Sequence, residues 1–393
     1  MFGPYRRVLS TPGALNFTLA GALGRLPLSM TGLGIVLLMA ERLDSYGKAG
    51  IVSAGYALAA AACAPLQGRW ADRYGQAVVL TGAGVLFALG LTGLLVLSSH
   101  GVLPATVCAM ITGMGAPQTG NMIRRRWTHV LPDRSGLQTA FALEAVLDEA
   151  VFIIGPMLVT FLALSVADLA GLGVAAFAAV VGAGTLAAQR RTQPPTTGGT
   201  TTVHGPLPWG LLGPVTGAAV LLGVLFGSAE IVVVAFAEEA GHKTWAGALL
   251  AIWAAGSLVA GVIVGAMPEV NDPIRWLRAT TACLAVLFLP LPFAPNLAWL
   301  SVGILATGLM VSPTLIGAVN LVERTVVNER LTEALTWLTT GLAVGVAPGA
   351  ILAGWAIDNG GASAGFWVPA GAAIGTALLA RILNPPASHL APA

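Results

Sequence analysis

Apolar residues run in twelve long blocks from about Gly13 to Leu383, separated by short polar breaks. A run of about 20 apolar residues spans the hydrocarbon core of a bilayer as a helix. The blocks therefore predict twelve membrane-spanning helices, over residues 14–39, 49–67, 77–97, 102–122, 137–164, 167–188, 211–237, 245–267, 274–294, 297–319, 333–357 and 366–383. The expected fold is an all-α membrane protein. The breaks between blocks are too short to hold a soluble domain. The first block follows Arg6 and Arg7, as the core of a signal peptide would, but it is too long and lacks a small-residue cleavage site. It reads as an uncleaved first helix.

Composition agrees with the pattern. Charged residues are 9% of the chain and hydrophobic residues 56%, with a mean hydropathy of +0.83. A soluble domain is about one quarter charged. Glycine is abundant, at 50 residues, and lets membrane helices approach closely. Cys63, Cys108 and Cys283 lie inside apolar blocks without metal-ligand spacing and read as packing residues.

The placement of charge sets the direction. With the N-terminus in the cytoplasm, fifteen of the 19 Lys and Arg fall in inside loops, and three (Arg42, Lys48, Lys243) fall outside. Arg25 lies within the first helix. Positive residues collect on the cytoplasmic side, and an odd helix count would scramble this split. The expectation is a multi-pass protein of the cytoplasmic membrane with both termini inside.

After the sixth block the chain reads Q-R-R-T-Q-P-P-T-T-G-G-T-T-T-V-H-G-P-L-P, a flexible polar linker. It divides the chain into a bundle over 1–188, a cytoplasmic linker over 189–208 and a second bundle over 209–393. A shift of 197 positions lays Gly68 on Gly265 and Asp72 on Glu269, and a shift of 196 lays Pro117 on Pro313. The near-constant offset points to a duplicated six-helix unit.

Between the second and third blocks the chain reads Gly68-Arg69-Trp70-Ala71-Asp72-Arg73-Tyr74-Gly75. This resembles the signature loop of the major facilitator superfamily, with Gly68, Asp72, Arg73 and Gly75 in the matching places and Gln76 where a basic residue usually follows. The resemblance implies a solute transporter that rocks two pseudo-symmetric six-helix bundles around a central cavity. It also implies that the Gly68–Gly75 loop is a cytoplasmic latch. The short loops and linker are most similar to the drug–proton antiporter branch. Gly155-Pro156 match the end of that branch's helix-5 motif, whereas the preceding glycines and the usual arginine within helix 4 are absent.

A charge at mid-membrane costs roughly 2.5–3.5 kcal/mol on insertion scales and persists mainly where it is used or paired. Five residues qualify: Arg25, Glu144, Asp148, Glu149 and Glu230. Glu144 and Asp148 are four apart and share a helical face, while Glu149 points away from it. Arg25 lies at a depth similar to Asp148, so an ion pair of Arg25 with Asp148 or Glu149 is expected. Asp148, Glu144 and Glu230 are the candidate proton-coupling carboxylates. The bland reading of the same residues is a permanent pair that locks helix 1 to helix 5. Gln118, Asn121, Trp253 and Trp337 are candidate cavity residues, with packing as the plainer role for the tryptophans. Arg124-Arg125-Arg126 read as interfacial anchors.

The leading expectation is a proton-coupled exporter of small organic molecules, with a proton-coupled nutrient importer as the alternative. The expected partners are a small-molecule substrate, protons and lipid, with no nucleic acid, in a monomer without cofactor or metal. No P-loop, metal-ligand cluster or nucleophile triad supports an enzyme.

Overall fold

The computed structural model describes residues 3–131, 134–196, 208–267, 272–326 and 328–383. Every regular element among them is a helix. Two compact units result. The first, Met1–Asp44 with Ile51–Thr200, holds α1 (Gly3–Leu9), α2 (Ala14–Leu43), most of α3 (Tyr46–Tyr74), α4 (Gln76–Leu97), α5 (Val102–Met114), α6 (Thr119–Val130), α7 (Arg134–Ser165) and α8 (Ala170–Ala188). The second, Ser45–Gly50 with Thr201–Ala393, holds α9 (Trp209–Glu239), α10 (Ala246–Ala266), α11 (Pro273–Phe288), α12 (Leu297–Thr325), α13 (Asn328–Gly365) and α14 (Trp367–Arg381).

The packing order repeats. In the first unit α2 packs on α7 and α8, and α4 on α5 and α8. In the second, α9 packs on α13 and α14, and α11 on α12 and α14. First against fifth and sixth, third against fourth and sixth: the same scheme serves both units. Glycines make the contacts close. A Cβ at Gly223 of α9 would lie 2.0 Å from the Leu342 carbonyl oxygen of α13, and one at Gly345 would lie 1.9 Å from the Val220 carbonyl oxygen. Lipid tails are as apolar as leucine, so close backbone packing, not hydrophobic burial, holds such helices together.

Ten of the described helices are long and apolar enough to cross a membrane. The two expected segments that fall short are the fourth and the twelfth. The twelfth is helical over Trp367–Arg381, only 15 residues. The fourth is broken, and this corrects the continuous helix expected over 102–122. α5 stops at Met114 and α6 restarts at Thr119, with Pro117 in the gap. Proline removes a backbone donor and clashes with the preceding turn, yet Pro27, Pro65, Pro156, Pro214, Pro313 and Pro348 all stay inside helices. The break at Pro117 has its own support. Gln67 of α3, buried, donates from Nε2 to the carbonyls of Met114 and Ala116 at 3.0 Å each, and its Oε1 accepts from the Gln118 N–H at 3.4 Å. Unpaired backbone groups are costly at membrane depth, and one glutamine satisfies three of them. Pro313, which aligned with Pro117 in the repeat, sits in a continuous helix, where Trp276 Nε1 donates to its carbonyl at 3.0 Å.

The expected linker is ordered at its start, and its residues 197–207 lie outside the described residues. Arg190–Thr192 form a 3-10 turn, and Gln193 Oε1 accepts from the Ala77 N–H at 3.1 Å. Arg126 of α6 anchors this region. Its guanidinium, fully buried, donates to the Leu186 and Gln189 carbonyls at 2.8 and 3.0 Å, to Thr192 Oγ1 at 3.0 Å and to Gln76 Oε1 at 2.8 Å. It thereby caps the end of α8, where cationic side chains satisfy orphan carbonyls and the helix dipole.

Candidate functional site

α6 shows why charges gather beneath the broken helix. Thr119, Met122, Ile123, Arg126 and Trp127 are buried at spacings of three and four, so they form one face. Asn121, Arg124 and Arg125 occupy the rest of the cylinder. The three consecutive arginines therefore have three separate fates. Arg126 caps α8. Arg125 pairs with Asp72. Arg124 Nη2 donates to Asp148 Oδ2 of α7 at 2.6 Å. Reading them together as interfacial anchors is corrected by this geometry, because a helix turns each neighbour about 100° from the last.

Arg25 of α2 is 3% exposed, and Glu144 of α7 is fully buried. Arg25 Nη2 donates to Glu144 Oε2. The other carboxylate oxygen, Oε1, accepts from Trp127 Nε1 at 2.7 Å, and Phe17 packs edge-on against the Trp127 ring with centroids 4.6 Å apart. Arg25 Nη1 lies 3.3 Å from Asp148 Oδ1, whose side chain is 30% exposed. The result is a chain of alternating charge, Glu144–Arg25–Asp148–Arg124, that joins α2, α6 and α7. Each carboxylate has one basic or donor partner per oxygen. Two arginines face two carboxylates, so the cluster is neutral. At low dielectric a charge without such a partner is expensive.

The sequence-derived site residues divide in the same way. Arg25 pairs with Asp148 as expected from depth, but its nearer partner is Glu144. Glu149 is half-buried and has no ionic partner among the described residues. A cavity of about 300 Å³ opens beside the cluster, lined by Arg25, Arg124, Asp148, Gln118, Asn121 and Phe152, among others. Gln118 and Asn121 thus share one pocket with the charged residues. Trp253 and Trp337 belong to the second unit and line no part of this pocket. Trp253 packs on Phe226 with ring centroids 5.4 Å apart, and Trp337 packs edge-on against Trp209 at 5.3 Å. Glu230 of α9 is also in the second unit, half-buried, with no hydrogen-bond or ionic partner among the described residues.

The Gly68–Gly75 segment, expected as a loop after a helix ending at 67, instead forms the last turns of α3, which runs to Tyr74, and only Gly75 leaves the helix, with φ +90°, a conformation that L side chains rarely adopt. Asp72 is engaged by Arg125 inside its own unit, and the Arg73 guanidinium lies 5.4 Å from the Tyr74 ring centroid. On α7, a Cβ at Gly155 would lie 1.9 Å from Ser29 Oγ of α2. That hydroxyl donates to the Val151 carbonyl at 2.9 Å. Reading the sequence alone missed Gln67 and Trp127. The signal available for Gln67 was a lone amide in an apolar block opposite a Gly-Ala-Pro-Gln stretch.

A family model described as Major Facilitator Superfamily matches residues 17–270. Solved structures with the same fold include a mutant of the nucleoside transporter NupG, at 15% identity and TM-score 0.73, covering 94% of this chain and 99% of that one. The human organic anion transporter MFSD10 (TETRAN) is similar at 15% identity and TM-score 0.66, covering 96% and 99%. An auto-inhibited peptide transporter of the POT family is similar at 10% identity and TM-score 0.64, covering 95% and 97%. No curated protein sequence matches the chain.

Proposed function

The chain belongs to the Major Facilitator Superfamily, a family of secondary transporters and not of enzymes, and from that premise we propose that it is a proton-coupled exporter of small organic molecules. Membership makes it a multi-pass membrane protein that moves a small solute. The coupling ion, the direction and the residues are the proposal. In it the chain acts as a monomer in the cytoplasmic membrane, with both termini inside and no cofactor.

The observation that carries the proposal is the contrast between the two helix-5 carboxylates. A coupling carboxylate needs access to water and a counter-ion that a conformational change can withdraw. Glu144 has neither, because it is sealed between Arg25 and Trp127. Asp148 has both: it is 30% exposed at the pocket, and its partner Arg124 is itself 40% exposed. Asp148 is therefore the coupling site, Glu144 the anchor of Arg25, and Glu230 the second carboxylate to test. Export is supported by the likeness to the antiporter branch at Gly155-Pro156, which lie where α2 and α7 touch. The named relatives carry nucleosides, organic anions or peptides, and at this identity they share the fold alone.

An imposed pH gradient across vesicles of known orientation tests the proposal. Protons entering should drive solute the opposite way, and an ionophore that collapses the gradient should abolish the movement. Solute moving with the protons would establish the importer, and flux indifferent to the gradient would refute proton coupling.

The latch expectation has a separate test. Asp72 and Arg125 are both about 40% exposed, and such surface pairs contribute about 1 kcal/mol or less to stability. Asp72→Asn should therefore leave insertion and thermal stability near wild type while lowering transport severalfold. Wild-type turnover in that variant would remove the latch role.

A further inference from the structure

α4 and α8 of the first unit pack at Gly84, where a Cβ would lie 3.5 Å from the Ala183 Cβ. Toward the end of α8 a groove of about 490 Å³ separates them. It is lined by Val78, Thr81 and Gly82 of α4, by Gly184 and Ala188 of α8, and by Arg190 just beyond, among others. Small residues leave it open: a Cβ at Gly82 or at Gly184 would meet nothing within 4 Å. The groove continues into an apolar row on α4. Val78, Val85, Leu89 and Val96 are exposed at spacings of seven, four and seven, so they share one face. An exposed apolar face of this kind on a membrane protein is covered by lipid.

One end of the groove is charged. The Arg190 guanidinium is exposed and has no hydrogen-bond or ionic partner among the described residues. No carboxylate lines the groove beside it. The turn that carries Arg190 is held from several sides. Arg126 donates to the Gln189 carbonyl and to Thr192 Oγ1, Gln189 Nε2 donates to the Asn16 carbonyl at 3.2 Å, and Gln193 Oε1 accepts from the Ala77 N–H. A fixed positive charge therefore stands over an open apolar groove.

We propose that this groove is a binding site for one anionic phospholipid, with Arg190 on the phosphate and the top of one acyl chain between α4 and α8. The lipid belongs to the leaflet at this end of the unit, the cytoplasmic one in the orientation proposed above. Basic pockets between spanning helices on that side suit anionic headgroups. On α4 the lining runs from Ala77 to Gly82, about 8 Å at 1.5 Å per residue. That length takes the chain just below its headgroup, and the rest follows the row at Val85 and Leu89. The absence of a lining carboxylate selects a net negative headgroup, because the ammonium of a zwitterionic lipid finds no partner there. The site goes beyond the transport reading and depends on neither its coupling ion nor its direction.

Lipid binding to the purified full chain in detergent tests the site. The probes are phosphatidylglycerol and phosphatidylcholine with identical chains, and bound lipid is counted by native mass spectrometry. One basic contact is worth about 1 kcal/mol, so the tightest phosphatidylglycerol should bind about fivefold more strongly than phosphatidylcholine. Gly82→Leu and Gly184→Leu fill the groove without meeting a neighbour and should each remove that lipid. Gly173→Leu, at an open glycine of α8 outside the groove, should not. Arg190→Gln should abolish the preference and Arg190→Lys should keep it. Arg191→Gln, at an exposed arginine that does not line the groove, should leave it unchanged. Equal affinity of the wild type for the two lipids would overturn the site. So would a preference that survives both groove-filling leucines, or one that Arg191→Gln reduces as much as Arg190→Gln does. Arg190 is exposed, so its two variants decide the role of the charge even where a leucine variant folds poorly.

Discussion

Arg25→Ala should destabilise the protein more than alanine at any of the three arginines of α6. Arg25 is the central link of the buried cluster. Its removal leaves Glu144, fully buried, with Trp127 Nε1 as its remaining partner and no positive charge. Breaking one side of a buried pair costs about 3–5 kcal/mol. Arg124, 40% exposed, can release Asp148 to water, so Arg124→Ala should cost about 1 kcal/mol or less. Arg126→Ala lies between, because the four acceptors it serves are backbone and neutral side-chain groups and not a buried charge. The measurement is the thermal midpoint of purified protein in detergent, with the folded yield from membranes as a second readout. The mechanism makes a further demand. Arg25→Met combined with Glu144→Leu removes both charges and keeps the volume, and such replacements are often neutral. The pair should recover most of the midpoint lost by Arg25→Ala. If Arg25→Ala and Arg124→Ala lower the midpoint equally, or the double variant is no better than the single one, the buried pair does not hold α2 to α7.

The membrane class, the two-bundle repeat and the family signature from Gly68 to Gly75 were legible because each depends on local pattern. Length of apolar run, basic residues in breaks, and glycine with aspartate at fixed offsets need no tertiary information. Depth counting also brought Arg25 near Asp148. The break in the fourth helix was not legible in the same way. Pro27, Pro65, Pro156, Pro214, Pro313 and Pro348 lie inside apolar segments and leave their helices continuous around them. What singles out Pro117 is a side chain fifty residues away, Gln67, that takes over the freed carbonyls. The break in turn resets the rotation of α6. That rotation decides which of Arg124, Arg125 and Arg126 faces Asp148, Asp72 or α8. A continuous helix drawn through 102–122 gives no reason to separate them. Similarly, the shared face of Glu144 and Asp148 was visible from their spacing, but which of them is sealed depends on Trp127, brought in by the same restarted helix.

Asp148→Asn should keep the fold and abolish gradient-driven transport. Asparagine has nearly the shape of aspartate, and its carbonyl can still accept from Arg124. Arg25 keeps its nearer partner Glu144, so the buried link between α2 and α7 survives and the stability should change by about 1 kcal/mol or less. What is lost is the group that binds and releases a proton. Alternating access couples two fluxes only if one conformational step depends on the proton being bound. With that dependence gone, the two conformations interchange whether or not protons are available. Uphill flux should fall about tenfold or more, to the level seen with the gradient collapsed, while exchange of labelled for unlabelled solute continues. This combination separates lost coupling from simple damage, which would lower flux, exchange and binding together. Glu144→Gln should show the opposite profile, with a lowered midpoint and coupling retained in the protein that folds. The measurement is proton-driven flux in reconstituted vesicles beside equilibrium exchange and detergent binding. Uphill transport by Asp148→Asn at the wild-type rate and pH dependence would exclude Asp148 as the proton carrier. Glu230, a carboxylate on α9 with no partner among the described residues, would then be the residue on which proton coupling has to be tested.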